Sequence, residues 1–155
     1  MDRCIESPED FFNLIVTPDF EDYLNDPKNI RMAFHVCMAL DHLVDWIALS
    51  KAPAETRKNF IEKKYSQCFP HLEIIHNVSV NAKHFNPHTV SKINFGITQN
   101  GMSIDDWGMT DDVPDWDTYG VGPQVMAKEQ EKGPLWLLNS ITAVYSFWTN
   151  RDNWN

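Results

Sequence analysis

Four polar residues, His35, Asp41, His42 and Asp45, interrupt the most apolar stretch of the chain. On a helix they fall within a sector of roughly 120°, because each residue turns the chain by about 100°. His42 and Asp45 are three residues apart, and Asp41 and Asp45 are one turn apart. An apolar helix does not bury two carboxylates without partners, since an unpaired buried charge is costly. Asn77, Asn81 and His84 follow at i, i+4 and i+7, with His76 and Lys83 beside them. They form a second polar stripe at helical spacing.

Three chemistries are open to this seam. It can be a buried hydrogen-bond network that fixes helix register, with Asp41 or Asp45 accepting from Asn and His donors. It can be a catalytic site in which His84 is the general acid/base, Asp45 orients the imidazole, and Asn77 or Asn81 polarises a substrate. A metal site would draw on His35, His42, Asp45 and His84. The seven-residue histidine spacing is wider than ordinary helical ligand pairs, so no metal and no cofactor is expected. The catalytic candidates are therefore His84, Asn77, Asn81, Asp45 and Asp41.

The elements that must position these residues can be read from periodicity. Ser7-Pro8-Glu9-Asp10 is a helix start, with a Ser cap and Pro at the first position. One or two short helices follow, broken near Pro18. The segment 28–50 reads as a central buried helix, because its apolar residues cover most of its circumference. Residues 54–66 read as a charged surface helix, with Phe60, Ile61 and Tyr65 at helical spacing. Another helix spans about 70–85 and stops at Asn86-Pro87. Alternation at Ile93, Phe95 and Ile97 predicts a strand, and 123–130 a second, the two pairing as an antiparallel hairpin. Gly133-Pro134 opens the last helix, with Leu135, Leu138, Ile141, Val144, Tyr145 and Trp148 at three- and four-residue spacing.

Between the strands, residues 99–122 carry six aspartates from Asp105 to Asp117, together with Trp107, Trp116 and Tyr119. Loops of this length are uncommon and often functional. Asp111, Asp115 and Asp117 could supply oxygens to Ca²⁺, but the EF-hand spacing is absent. Tryptophans among acids look more like a sticky surface for a basic protein partner, and a solvated loop is the default reading.

A chain of 155 residues is expected to form one domain. The net charge of −9 repels phosphate backbones at long range, which argues against a broad nucleic-acid surface but leaves room for a small RNA site. Cys4, Cys37 and Cys68 form no C-x-x-C pair, and a reducing compartment is expected. The N-terminal residues lack a basic region followed by an apolar core, and no unbroken run of about 18 apolar residues occurs, so a cytoplasmic protein without signal peptide or membrane span is expected. No Gly-rich phosphate loop or Ser-His-Asp order is present.

The run Asn77 to Phe85, Asn-Val-Ser-Val-Asn-Ala-Lys-His-Phe, resembles the Asn/Lys-His signature on a late helix of HEPN-like domains. These are small prokaryotic helical domains, many of them ribonuclease toxins of toxin–antitoxin or phage-defence systems. The order of Ala39 to Trp46, Cys68-x-Pro70, Asn81-x-Lys83-His84-Phe85, a strand pair and Trp148 on a final helix is also similar to a group of small bacterial proteins. The resemblance spans residues 30–148 loosely and nine residues tightly. It implies a helical bundle with a small hairpin before the last helix, a homodimer, and a metal-independent endoribonuclease site with His84 as the carried-over position. The ribonuclease members carry Arg four to six residues before that His. Here Asn77, Val78 and Ser79, five to seven residues before His84, include no Arg, so Asn77 stands in the place of Arg and the site reads as degenerate. A non-enzymatic interaction protein that uses the acidic loop, and a His/Asp metal-binding bundle, are the rival readings.

Overall fold

The fold is mainly helical. The computed structural model describes residues 4–68, 70–84, 93–97, 125–129 and 133–155, the strand residues among them by their backbone. The first helix, α1 (Pro8–Phe11), opens where the sequence puts it. Ser7 Oγ accepts from Asp10 N at 3.0 Å and donates to Asp10 Oδ2 at 2.6 Å, a reciprocal cap with Pro8 in the first turn.

The helix does not break at Pro18, as periodicity suggested. It widens into a π-helical turn, Phe12–Val16, and runs on as α2 (Thr17–Asn25). The amide of Thr17 donates to the carbonyl of Phe12, five residues back, and Pro18 falls at the start of the new segment. The widened turn lets the chain pass a residue that has no N–H to give.

Asn29 caps the central helix, α3 (Ile30–Ser50), by accepting from Met32 N at 3.3 Å. Ala33, Val36, Cys37, Leu40, Leu43, Val44, Ile47 and Ala48 are all buried on it. By length and composition α3 could reach across a membrane, yet more than half of its most apolar stretch is buried inside the fold. Most of its apolar surface is covered by the other helices, Leu49 near its end being the exception. Next come α4 (Arg57–Cys68), α5 (His71–Lys83) and α6 (Leu137–Thr149), all of which pack on α3. The described residues bury one hydrophobic cluster, to which every helix except α1 contributes buried side chains. Helix α4 is less of a surface helix than its charge suggests, since Phe60 and Lys64 are buried.

Stacked rings tie the N-terminal helices to the rest. Phe11 stacks on Trp46 at 5.2 Å and Phe20 on Tyr145 at 3.8 Å. A terminal 3-10 turn, Arg151–Trp154, closes back on α1, where Arg151 forms a two-pronged ion pair with Glu9 at 2.7 and 2.8 Å.

Three strand segments precede α6: β1 (Ile93–Ile97), β2 (Val125–Glu129) and β3 (Gly133–Trp136). In their backbone register β2 lies antiparallel to both of the others. Thus Gly133-Pro134 lies in a strand and α6 starts at Leu137, four residues later than the sequence reading placed it. The acidic stretch 99–122, with its expected partner surface and Ca²⁺ ligands, lies outside the described residues. So does the Asn86-Pro87 helix stop.

Candidate functional site

The polar residues of α3 straddle the edge of its buried face. Asp41 is 7 % exposed, Asp45 is half-buried, and His35 and His42 face solvent. The stripe seen in the sequence is real, but only one end of it enters the interior.

Asp41 meets two partners there. Arg57, in the first turn of α4, places Nη2 on Asp41 Oδ1 and Nη1 2.7 Å from the main-chain oxygen of the same residue. His76, on α5, places Nδ1 3.0 Å from the same Oδ1. Arg57 Nη1 also reaches Asp45 Oδ2 at 3.3 Å. One buried carboxylate therefore joins three helices.

Burial pushes the Asp41 carboxyl upward. The hydrogen bond from His76, the Arg57 charge, the His76 charge and a hydrogen bond from Ser79 outweigh it and hold the group below the usual carboxylate range. Asp41 is thus ionised and can only accept, which puts the proton of the contact on His76 Nδ1. Arg57 Nη2 comes within 3.4 Å of that nitrogen because both donate to one oxygen, not because they bond to each other. His76 then has Nε2 left over, and its side chain is 42 % exposed. A carboxylate-held imidazole whose ring is partly open to solvent is the arrangement of a general acid/base.

The other sequence candidates lie elsewhere. Asn77 is buried on α5, and Asn81 Nδ2 donates to its main-chain oxygen at 2.8 Å, a contact along the helix. His84 stands just past the last turn of α5, exposed and in extended backbone. It is not held by Asp45, whose ion pair is with Arg57. Asp41 and Asp45 are thus brought together with Arg57 and His76, and His84 is not. Among the described residues no group of three or more His, Cys, Asp or Glu side chains is placed to hold a metal ion, so His35, His42 and Asp45 are not assembled as ligands.

Arg57 was hidden in the sequence among the charges of a segment read as solvated, and His76 stands about 100° around the helix from Asn77. The usable signal was Asp41 itself, a carboxylate on a helix too apolar to leave it without a cation.

Exposure of His84 has a simple consequence. His84→Ala should leave the urea midpoint within the range of ordinary surface substitutions, roughly 0.5 kcal/mol. A clear loss of stability would mean that its imidazole belongs to a buried network after all.

No protein-family model matches this chain, no curated protein matches it, and no solved structure matches it.

Proposed function

We propose that this chain is a HEPN-like bacterial protein of toxin–antitoxin or phage-defence type, acting in the cytoplasm as a metal-independent endoribonuclease, and that its acid–base group is His76. The architecture of this reading is a helical bundle with an antiparallel hairpin before the last helix, paired as a homodimer. The carrying observation is the 3.0 Å contact of His76 Nδ1 with buried Asp41, beside the Arg57 guanidinium. The ribonuclease pattern asks for an arginine near the histidine, and the sequence lacks one within α5. Arg57 supplies that charge from α4, with the histidine eight residues before His84 rather than at it.

The chemistry follows from these groups. In metal-free RNA cleavage the 2′-hydroxyl attacks the adjacent phosphorus and the bond to the 5′-oxygen breaks. His76 Nε2 takes the hydroxyl proton, and an imidazolium at the same place can return one to the leaving oxygen. Asp41 holds the ring in one tautomer, and Arg57 counters charge that builds on the phosphate oxygens. A chain of net charge −9 repels a long polyanion, so contact is limited to a few phosphates around the scissile bond.

The test is cleavage of a single-stranded RNA in EDTA by wild type and His76→Gln. General acid/base groups contribute about 10²–10⁴-fold, so a loss of at least about a hundredfold is expected, with little change in unfolding. Growth arrest on expression should be relieved by the same substitution. Absence of cleavage by the wild type, or equal cleavage by the variant, would falsify the assignment.

A further inference from the structure

Arg57 is already occupied in the free protein. Nη2 is on Asp41 Oδ1, and Nη1 is shared between the Asp41 main-chain oxygen at 2.7 Å and Asp45 Oδ2 at 3.3 Å. A phosphate oxygen that comes to this guanidinium therefore meets two carboxylates at its terminal nitrogens. With His76 in its base form, two negative charges face one positive charge. A phosphodiester adds another negative charge, so one of the anions has to give way.

The two carboxylates differ in what holds them. Asp41 is buried and also accepts from His76 at 3.0 Å and from Ser79. Moving it would strand those donors and leave a buried charge without its partner. Asp45 is 45 % exposed, and among the described residues its one ion pair is the contact with Arg57. At 3.3 Å that contact is longer than the roughly 2.7–2.9 Å usual for a charged hydrogen bond, and water competes for both partners. The Asp45 side chain can turn to another rotamer in water without moving α3.

We infer that Asp45 is a competing counter-ion, holding on Arg57 Nη1 the place that a backbone phosphate of single-stranded RNA takes on binding. Binding is then an exchange of anions at one guanidinium, and Asp45 sets its strength. A residue that only positioned Arg57 would act in the opposite direction, because its removal would loosen the cation and weaken binding. The inference rests on the ribonuclease reading for its ligand, so binding is measured apart from cleavage.

The probe is an end-labelled 2′-O-methyl RNA strand, which lacks the attacking hydroxyl. It is titrated with the full chain in EDTA at fixed ionic strength and followed by fluorescence anisotropy. Asp45→Asn should bind it at least about threefold more tightly than wild type, since an exposed ion pair no longer competes. Asp22→Asn removes the same charge from an exposed place on α2 and should bind like wild type. In the Arg57→Gln background the gain from Asp45→Asn should vanish. The sign of the single-variant effect decides the matter if Arg57→Gln folds poorly. With cleavable RNA the gain should appear as a lower KM. Equal or weaker binding by Asp45→Asn, or an equal gain in Asp22→Asn, overturns the exchange even where wild type cleaves RNA through His76. Tighter binding by Asp45→Asn without any cleavage by wild type upholds the exchange and rejects the ribonuclease reading instead. No binding by either form overturns both.

Discussion

Trp148→Ala is expected to cost about 3–5 kcal/mol, the range for removing a large buried ring. The indole is fully buried on the inner face of α6 and is the largest such side chain among the described residues. It stacks with Phe60 of α4 at a centroid distance of 6.1 Å and meets Phe147 edge-on at 4.7 Å. Phe60 sits on a different helix, which is held by its own packing and cannot fully close on the cavity left behind. That is the condition under which the cavity penalty adds in full to the lost transfer energy. The indole nitrogen has no partner among the described residues, so no hydrogen bond is lost to offset the comparison. Urea unfolding measures the effect. Leu49→Ala, at a side chain 68 % exposed, should stay within about 0.5 kcal/mol. Equal midpoints for the two variants would remove α6 from the core.

The second large effect belongs to Asp41. Truncation to alanine strands the Arg57 charge and the His76 donor, and breaking a buried pair from one side costs about 3–5 kcal/mol. Arg57 is a quarter exposed and water can reach it, so the lower end, about 3 kcal/mol, is expected. The pH dependence has a definite sign. Asp41 is held below the usual carboxylate range in the folded state, so its stabilisation is complete above the unfolded value of about 3.9 and is lost as pH falls through the lower folded value. Wild-type stability should therefore drop on acidification below about pH 4. Asp41→Asn should be weaker near neutral pH and show a shallower acid slope. A wild type and variant with parallel pH profiles would show that Asp41 is not the ionised centre of the cluster.

These two residues also mark where sequence reading succeeds and where it stops. Segment 28–50 is legible because its apolar side chains leave no wide polar face, and the observed helix, Ile30–Ser50, falls inside those bounds. Helix 70–85 is legible in the same way and is observed as His71–Lys83. Its end one residue short of His84 removed that histidine from the stripe, because a side chain past the last turn no longer follows the 100° rule. Pro18 was misread for a local reason: a π-helical turn is set by backbone spacing, and no residue type announces it.

The sequence by itself determined that Asp41 sits on a buried helix and must have a partner, since its neighbours Val36, Cys37, Leu40 and Val44 are apolar and a lone buried carboxylate is costly. Which partner it takes was a matter of tertiary structure alone. Arg57 is 16 residues away and His76 is 35, and nothing in the spacing of either refers to Asp41. Only the packing of α4 and α5 on α3 brings their polar edges to one point. The same packing decided that His35 and His42, on the same 120° stripe as Asp41, face solvent, because the boundary of a buried face is drawn by the helix lying across it and not by the helix that carries it.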